Sequence, residues 1–143
     1  MNEEHFRKLE RMYLGVPVNG YFEPRIQVSD GRAEIAVTVR RDFYHAAGAV
    51  HGVVYFKLLD DAAFFAANSL VDDVFVLTSS LTSYLIRPVT EGEMKAAGRV
   101  VHQSGRLIIA DAEVFDNEGR LLARGTGTFM RSRISLSQDI GYK

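Results

Sequence analysis

The chain has 143 residues, 47% of them hydrophobic and 24% charged, with 17 Lys and Arg against 18 Asp and Glu for a formal net charge of -1. Those figures fit one folded core, exclude intrinsic disorder, and leave no basic surplus to draw the chain onto nucleic acid or anionic lipid. Zero cysteines exclude a disulfide framework and thiolate metal sites, which suits a reducing cytoplasm.

Residues 1–15 carry charges where a signal peptide needs an apolar stretch, so export is not expected. Phe6, Leu9, Met12 and Tyr13 recur at three- and four-residue spacing and predict a one-sided helix over 3–14, ended by Gly15 and Pro17. Ile26 and Val28, then Ala33, Ile35, Val37 and Val39, alternate with polar neighbours across Asp30-Gly31, the pattern of a β-hairpin. A glycine-containing loop, 44–52, leads into 52–70, where the only charges are Lys57, Asp60 and Asp61. A helix so apolar all round should be wrapped by other structure. It does not read as a membrane span, because its three charges would be costly in lipid. From 74 onward the period is two: a strand stopped by Pro88, then three more separated by turns at 103–106 and 117–120. These four strands are expected to form a meander, and the polar residues 134–143 to fray. No linker, repeat or low-complexity tract divides the chain, so residues 1–143 form a single expected domain. The class is α+β: an antiparallel sheet of five or six strands wrapped around one long central helix, the layout of a hotdog fold.

The helix centre and its start carry the chemistry. Successive helical residues point about 100° apart, so Asp60 and Asp61 cannot share a role. Asp61 stands four residues after Lys57 and can pair with it, although Lys57 is also three residues before Asp60. Phe56 and Phe64 flank Asp60 one turn to either side, a setting that favours its neutral form and sharpens its basicity. The plainer alternative leaves both acids solvated at the sheet's open edge. Gly52 either supplies a free backbone N–H at the positive end of the helix or only eases a tight turn. His45 and His51 lie six apart, with no ligand spacing around them, so no metal is expected. A lone loop histidine is more often a structural hydrogen-bonder than a catalyst. No G-x-S-x-G elbow, GxGxxG or phosphate-binding loop occurs. Thr78, Ser79, Ser80, Thr82 and Ser83 crowd hydroxyls onto one strand, which β-propensity alone can explain.

The stretch His51-Gly52, with Asp60 nine residues on and Asp61-Ala62-Ala63 after it, followed by Tyr84-Leu85-Ile86-Arg87-Pro88, resembles the hotdog acyl-CoA thioesterases of the phenylacetate-pathway type over roughly residues 20–131. Two positions depart from that family's N-x-x-x-x-x-H-G-G pattern: His45 stands where it has Asn, and Val53 where it has the second Gly. The resemblance implies hydrolysis of a short-chain or aromatic acyl-CoA, with coenzyme A as part of the substrate and no further cofactor. It makes Asp60 the catalytic carboxylate, as general base or nucleophile, and aims the Gly52 N–H at the thioester oxygen. His51 would fix the loop and thioester, His45 would stand in for the Asn, and Thr78 would orient water. Coenzyme A phosphates would call on arginines near glycine turns, for which Arg87, Arg106 beside Gly105, and Arg131 or Arg133 are candidates. A homodimer is implied, with Asp60 facing the partner's helix start, and dimers of such dimers make a homotetramer. Covering an exposed sheet edge favours association independently. Nucleic acid and membrane are not expected partners. Two rivals remain open: a non-catalytic hotdog protein that binds an acyl thioester, favoured by the His45 and Val53 departures, and a dehydratase, which would want a histidine on the central helix.

Overall fold

The computed structural model describes residues 2–143. Helix α1, Glu3–Leu14, starts where the Asn2 side chain accepts a hydrogen bond from the His5 N–H, with Glu3 and Glu4 in its first turn and Arg11 in its last, all suited to the helix dipole. Its apolar stripe buries Phe6, Leu9, Met12 and Tyr13. Gly15 ends it, but Pro17 does not simply stop the chain. It opens a second short helical turn, α2 (Pro17–Gly20), in which the buried Asn19 amide donates to the Tyr13 carbonyl at 2.8 Å. Strands β1 (Arg25–Ser29) and β2 (Arg32–Thr38) pair antiparallel across Asp30-Gly31, with Gly31 at a φ of +69° that the tight turn requires. Helix α3 runs Gly52–Asn68, and strands β3 (Val74–Leu85), β4 (Glu93–Gln103), β5 (Leu107–Phe115) and β6 (Leu121–Ser135) follow. Together they make a six-stranded sheet in the order β1-β2-β4-β5-β6-β3, antiparallel at every pairing. An antiparallel sheet curled against one long helix is the hotdog architecture. No helix among the described residues is long and apolar enough to cross a membrane.

The sheet corrects the expected four-strand meander. Only β4, β5 and β6 follow one another side by side, while β3 pairs with β6 at one edge and β4 crosses to lie beside β2. The physical reason lies in residues 86–92, a crossing segment rather than a tight turn. Ile86 and Arg87 donate to the Leu122 carbonyl, and Val89 accepts from Val50. The C-terminus corrects a second expectation. Residues 134–143 do not fray: β6 continues to Ser135, a 3-10 turn follows at Gln138–Ile140, and Leu136, Ile140 and Tyr142 pack against the core. The Tyr142 hydroxyl hydrogen-bonds His5 Nδ1 at 2.7 Å, and His5 Nε2 donates to the Asn68 carbonyl at 2.9 Å. His5 is buried, so this clasp ties α1, the end of α3 and the tail together.

Helix α3 packs deeply because β4 lets it. A Cβ at Gly98 would stand 2.2 Å from the Ala62 carbonyl oxygen, so helix backbone and strand backbone nearly touch there. Ala62, Ala63, Ala66 and Ala67 are fully buried, and small side chains at these positions permit the approach. The helix is not enclosed all round, however. Val53 is 57% exposed and Phe56 44%, on a stripe that continues to Asp60. Gly98→Ala is therefore expected to lower stability by about 3 kcal/mol through forced displacement of α3, read as a fall in the urea midpoint without a change in slope.

Candidate functional site

Asp60 lies in the wall of a cavity of about 470 Å³ between α3, α1, β3 and the C-terminal segment, together with Asp61, Tyr13, Phe64, Phe75 and Ile134. That size is within the range of about 300–1,000 Å³ usual for ligand pockets. Asp60 is half-buried, and its Oδ1 accepts a hydrogen bond from the Thr78 hydroxyl of β3 at 2.9 Å. Burial pushes its carboxyl above the ordinary range. The Thr78 hydrogen bond opposes the shift, the Asp61 charge adds to it, and Lys57 opposes it more weakly. The cluster of hydroxyls on β3 thus contains one residue, Thr78, aimed at the acid.

Asp61 has a different life. Its Oδ2 accepts from Lys57 Nζ at 2.8 Å and from the Tyr13 hydroxyl at 2.7 Å. The Lys57–Asp61 side chains are only 19% and 16% exposed, so the pair is less screened than a surface one. The Tyr13 hydroxyl is pushed strongly upward by burial and then by the neighbouring Asp61 charge, which keeps it protonated as a donor. The spacing from Lys57 permitted a pair with either acid, and the structure pairs it with Asp61. Tyr13 was legible only as a core residue, and Asn19, which accepts from Lys57 Nζ at 2.6 Å, gave no signal because α2 itself was hidden behind Pro17.

The start of α3 forms a second, shallower hollow of about 240 Å³ lined by His45, Gly52, Tyr55, Leu85, Arg87 and Pro88. His51 caps the helix: its Nδ1 accepts from the Val53 N–H at 2.9 Å. His45 Nδ1 accepts from the Ala47 N–H at 3.0 Å, and the two rings lie 6.4 Å apart, both residues exposed. Gly52 has no positive φ. A Cβ there would meet Leu85 Cδ1 at 3.0 Å, so the glycine permits close packing of the helix start against β3. Val53, at the family's second-glycine position, projects outward. Among the described residues, no three His, Asp or Glu side chains cluster closely enough to hold a metal ion.

The chain thus places the predicted site residues in two clusters. Asp60 with Thr78 is one and Gly52 with His45, His51 and Arg87 is the other, with Asp60 and Gly52 eight residues and roughly 12 Å apart along α3. Gly105 and Arg106 sit exposed in the β4–β5 turn and line neither hollow. Arg131 is occupied by Asp73 at 2.6 Å, and Arg133 is exposed. Ile134 and Ile140, assigned to a frayed tail by the sequence, instead line the Asp60 cavity.

A long helix that starts at a glycine and carries a half-buried acid in its middle is thus set against a hotdog sheet. Residues 47–123 match the thioesterase superfamily, and the chain belongs to that family. The E. coli PaaI protein from the phenylacetic acid degradation operon superposes with a TM-score of 0.86 at 21% identity, covering 95% of this chain and 99% of that one. A mutant of the phenylacetic acid degradation protein PaaI from Thermus thermophilus gives a TM-score of 0.74 at 27% identity, over 82% of this chain and all of that one (100%). A Saccharolobus solfataricus protein whose name marks it as a candidate esterase is 24% identical over 127 residues, 89% of this chain and 87% of its own. Membership in the family supports thioester hydrolysis as the activity.

The raised carboxyl of Asp60 has a consequence for folding. A group that binds its proton more tightly when folded contributes stability at pH below its unfolded value and loses it as pH rises through the folded value. At neutral pH the ionised Asp60 is therefore a cost. Asp60→Asn, whose side-chain oxygen can still accept from Thr78, should melt at a modestly higher temperature than the wild type at pH 7. The gain should shrink at pH 4, as followed by circular dichroism.

Proposed function

We propose that the protein is an acyl-CoA thioesterase whose reacting carboxylate is Asp60. One observation carries the reading: the acid on α3 accepts one hydrogen bond among the described residues, from Thr78, and faces a largely apolar cavity. A carboxylate so placed retains basicity at neutral pH. It either takes a proton from the attacking water or attacks the thioester carbon itself. In both cases the carbon–sulfur bond breaks, the thiol leaves with a proton, and water supplies the oxygen of the released acid. The oxyanion formed on the way needs donors already aimed at it, and the Gly52 N–H at the positive end of α3 supplies one. Phe64, Phe65 and Phe75 line the cavity and favour an aromatic acyl group over a short straight chain. Arg87 beside the Gly52 hollow suits a coenzyme A phosphate. The cytoplasm is the compartment proposed, where such substrates are found.

The two half-sites come together in a homodimer. Strand β3 lies at the sheet edge and exposes Leu77, Tyr84 and Leu85, surface that asks for cover. Helix α3 runs alongside it in the opposite sense, with Gly52 by Leu85 and Asp60 by Thr78. If two copies of β3 pair antiparallel about a two-fold axis at Thr82, the bulge at Thr78-Ser79 of each falls opposite Leu85 of the other. Asp60 of one subunit then faces Gly52 of its partner, which closes the gap that no single chain can close. Pairing of such dimers into a tetramer leaves this geometry unchanged.

Purified protein should release thiol from aromatic acyl-CoA esters, and Asp60→Asn should lower kcat by about 10²–10⁴-fold with the fold intact. Full activity in that variant would discard Asp60, and no release across a broad acyl-CoA panel would favour a binding protein. Thr78→Val removes the one hydrogen bond that holds the Asp60 carboxyl down. The acid limb of its kcat/KM profile should therefore move to higher pH. The two-subunit site has its own check, in that Asp60→Asn and Gly52→Val, each inactive alone, should recover about a quarter of wild-type activity when unfolded together and refolded as mixed dimers. No recovery would place both residues in one subunit's site.

A further inference from the structure

Lys57 stands one turn before both acids, three residues from Asp60 and four from Asp61, and helical spacing allows it to reach either. In the structure its ammonium bonds Asp61 Oδ2 at 2.8 Å and Asn19 Oδ1 at 2.6 Å. It also lies over the rings of Tyr13 and Phe22, 5.5 and 5.3 Å from their centroids. Such faces attract a desolvated cation. Asp61 is itself anchored by the Tyr13 hydroxyl at 2.7 Å, and Asn19 by its bond to the Tyr13 carbonyl at 2.8 Å. Every restraint pulls the ammonium toward α1 and α2 and away from β3.

We propose that Asp61 is a positioning residue that, with Asn19 and the faces of Tyr13 and Phe22, captures Lys57 so that Asp60 is left without a cationic partner. The groups facing Asp60 are few. Lys57 and Asp61 come from α3, Tyr13 from α1 and the uncharged Thr78 from β3, while the C-terminal segment brings Ile134 and Ile140. Lys57 is therefore the cation positioned to quench the acid from within its own subunit. A cation within about 4–6 Å lowers a carboxylate's pKa by about 1–3 units. It would also occupy an oxygen that has to face substrate. Asp61 accepts that partnership instead, at the expense of a desolvated ion pair whose net stabilisation is small. The adjacent acids thus divide the work: one binds the lysine, the other stays basic. This extends the hydrolase reading above and rests on Asp60 being its reacting carboxylate.

The test reads Asp60 directly, by carboxyl carbon-13 NMR titration of the full-length assembled protein, with the resonance assigned by its loss in Asp60→Asn. In Asp61→Asn, Lys57 is released, and the Asp60 midpoint should fall by about one pH unit or more. In Lys57→Met/Asp61→Asn it should return close to the wild-type value. The acid limb of kcat/KM should follow both moves, and Asp61→Glu, which can still bind Lys57, should leave it near its original place. A midpoint that moves by only a few tenths of a unit in Asp61→Asn, no more than the lost Asp61 charge alone accounts for, overturns the proposal. Should that variant not fold, Asn19→Ala, which changes no charge, takes its place: a smaller fall is expected, and an unmoved midpoint is fatal. The titration needs no turnover. An inactive enzyme with the expected shifts would discard the hydrolase reading alone, and an active one without them would discard only this inference.

Discussion

A carboxylate in the middle of an apolar helix is tolerated only with partners, and the number of partners decides what it can do. Asp61 has two donors on one oxygen, from Lys57 and Tyr13, and is held in place by them. Asp60, its neighbour in the chain, has one hydroxyl. The asymmetry follows from the helix, because a turn of about 100° sends Asp61 toward α1 and Asp60 toward β3. The N-terminal helix is thus more than a cover for the first hairpin. It supplies the phenol that bonds one acid and, through α2, the amide that helps hold that acid's lysine, while the other acid keeps Thr78 alone.

The depth of α3 in the sheet sets the second condition. Gly98 and the alanines opposite it bring helix and strand backbones nearly into contact, which fixes the helix against sliding. With α3 seated there, its outward stripe runs along β3, and each landmark on the helix gains a counterpart on the strand: Gly52 with Leu85, Asp60 with Thr78. Because β3 is an edge strand, both pairs lie where a second copy can approach. The crossing segment 86–92 is what makes this possible, since a tight turn after β3 would have buried that strand beside β4.

Much of this was legible in the sequence because it rests on periodicity. The three- and four-residue spacing of α1, the alternation of the strands, the Asp-Gly turn and the long apolar run each follow from one local pattern. Helical spacing permitted the Lys57-to-Asp61 pair but allowed Asp60 equally, and the choice was made by Tyr13 and Asn19, which the spacing does not show. Strand order followed from no local pattern: β3 and β4 alternate alike whichever neighbours they choose, and only the path of 86–92 separates a meander from a crossing. The tail misled for a similar reason. Leu136, Ile140 and Tyr142 are scattered among polar residues, and what orders them is His5 at the other end of the chain. Asn19 was invisible because its role depends on a helical turn that Pro17 starts rather than ends.

Separation of the two half-sites along α3 also has a chemical logic. The start of a helix favours negative charge, and a carboxylate placed there would be stabilised as an anion and lose the basicity that proton abstraction requires. At roughly 12 Å along the same helix, Asp60 lies beyond the first turn in which that field acts. In the proposed dimer, the partner's helix start is directed at the substrate carbonyl, which develops negative charge only as the reaction proceeds. In that proposed dimer, symmetry would let one helix serve two sites in opposite roles, basic in its middle and electrophilic at its tip. His45 and Val53 lie at the tip and leave the middle untouched, so in that proposal their effect belongs with the shape of the cleft at the helix start rather than with the acid.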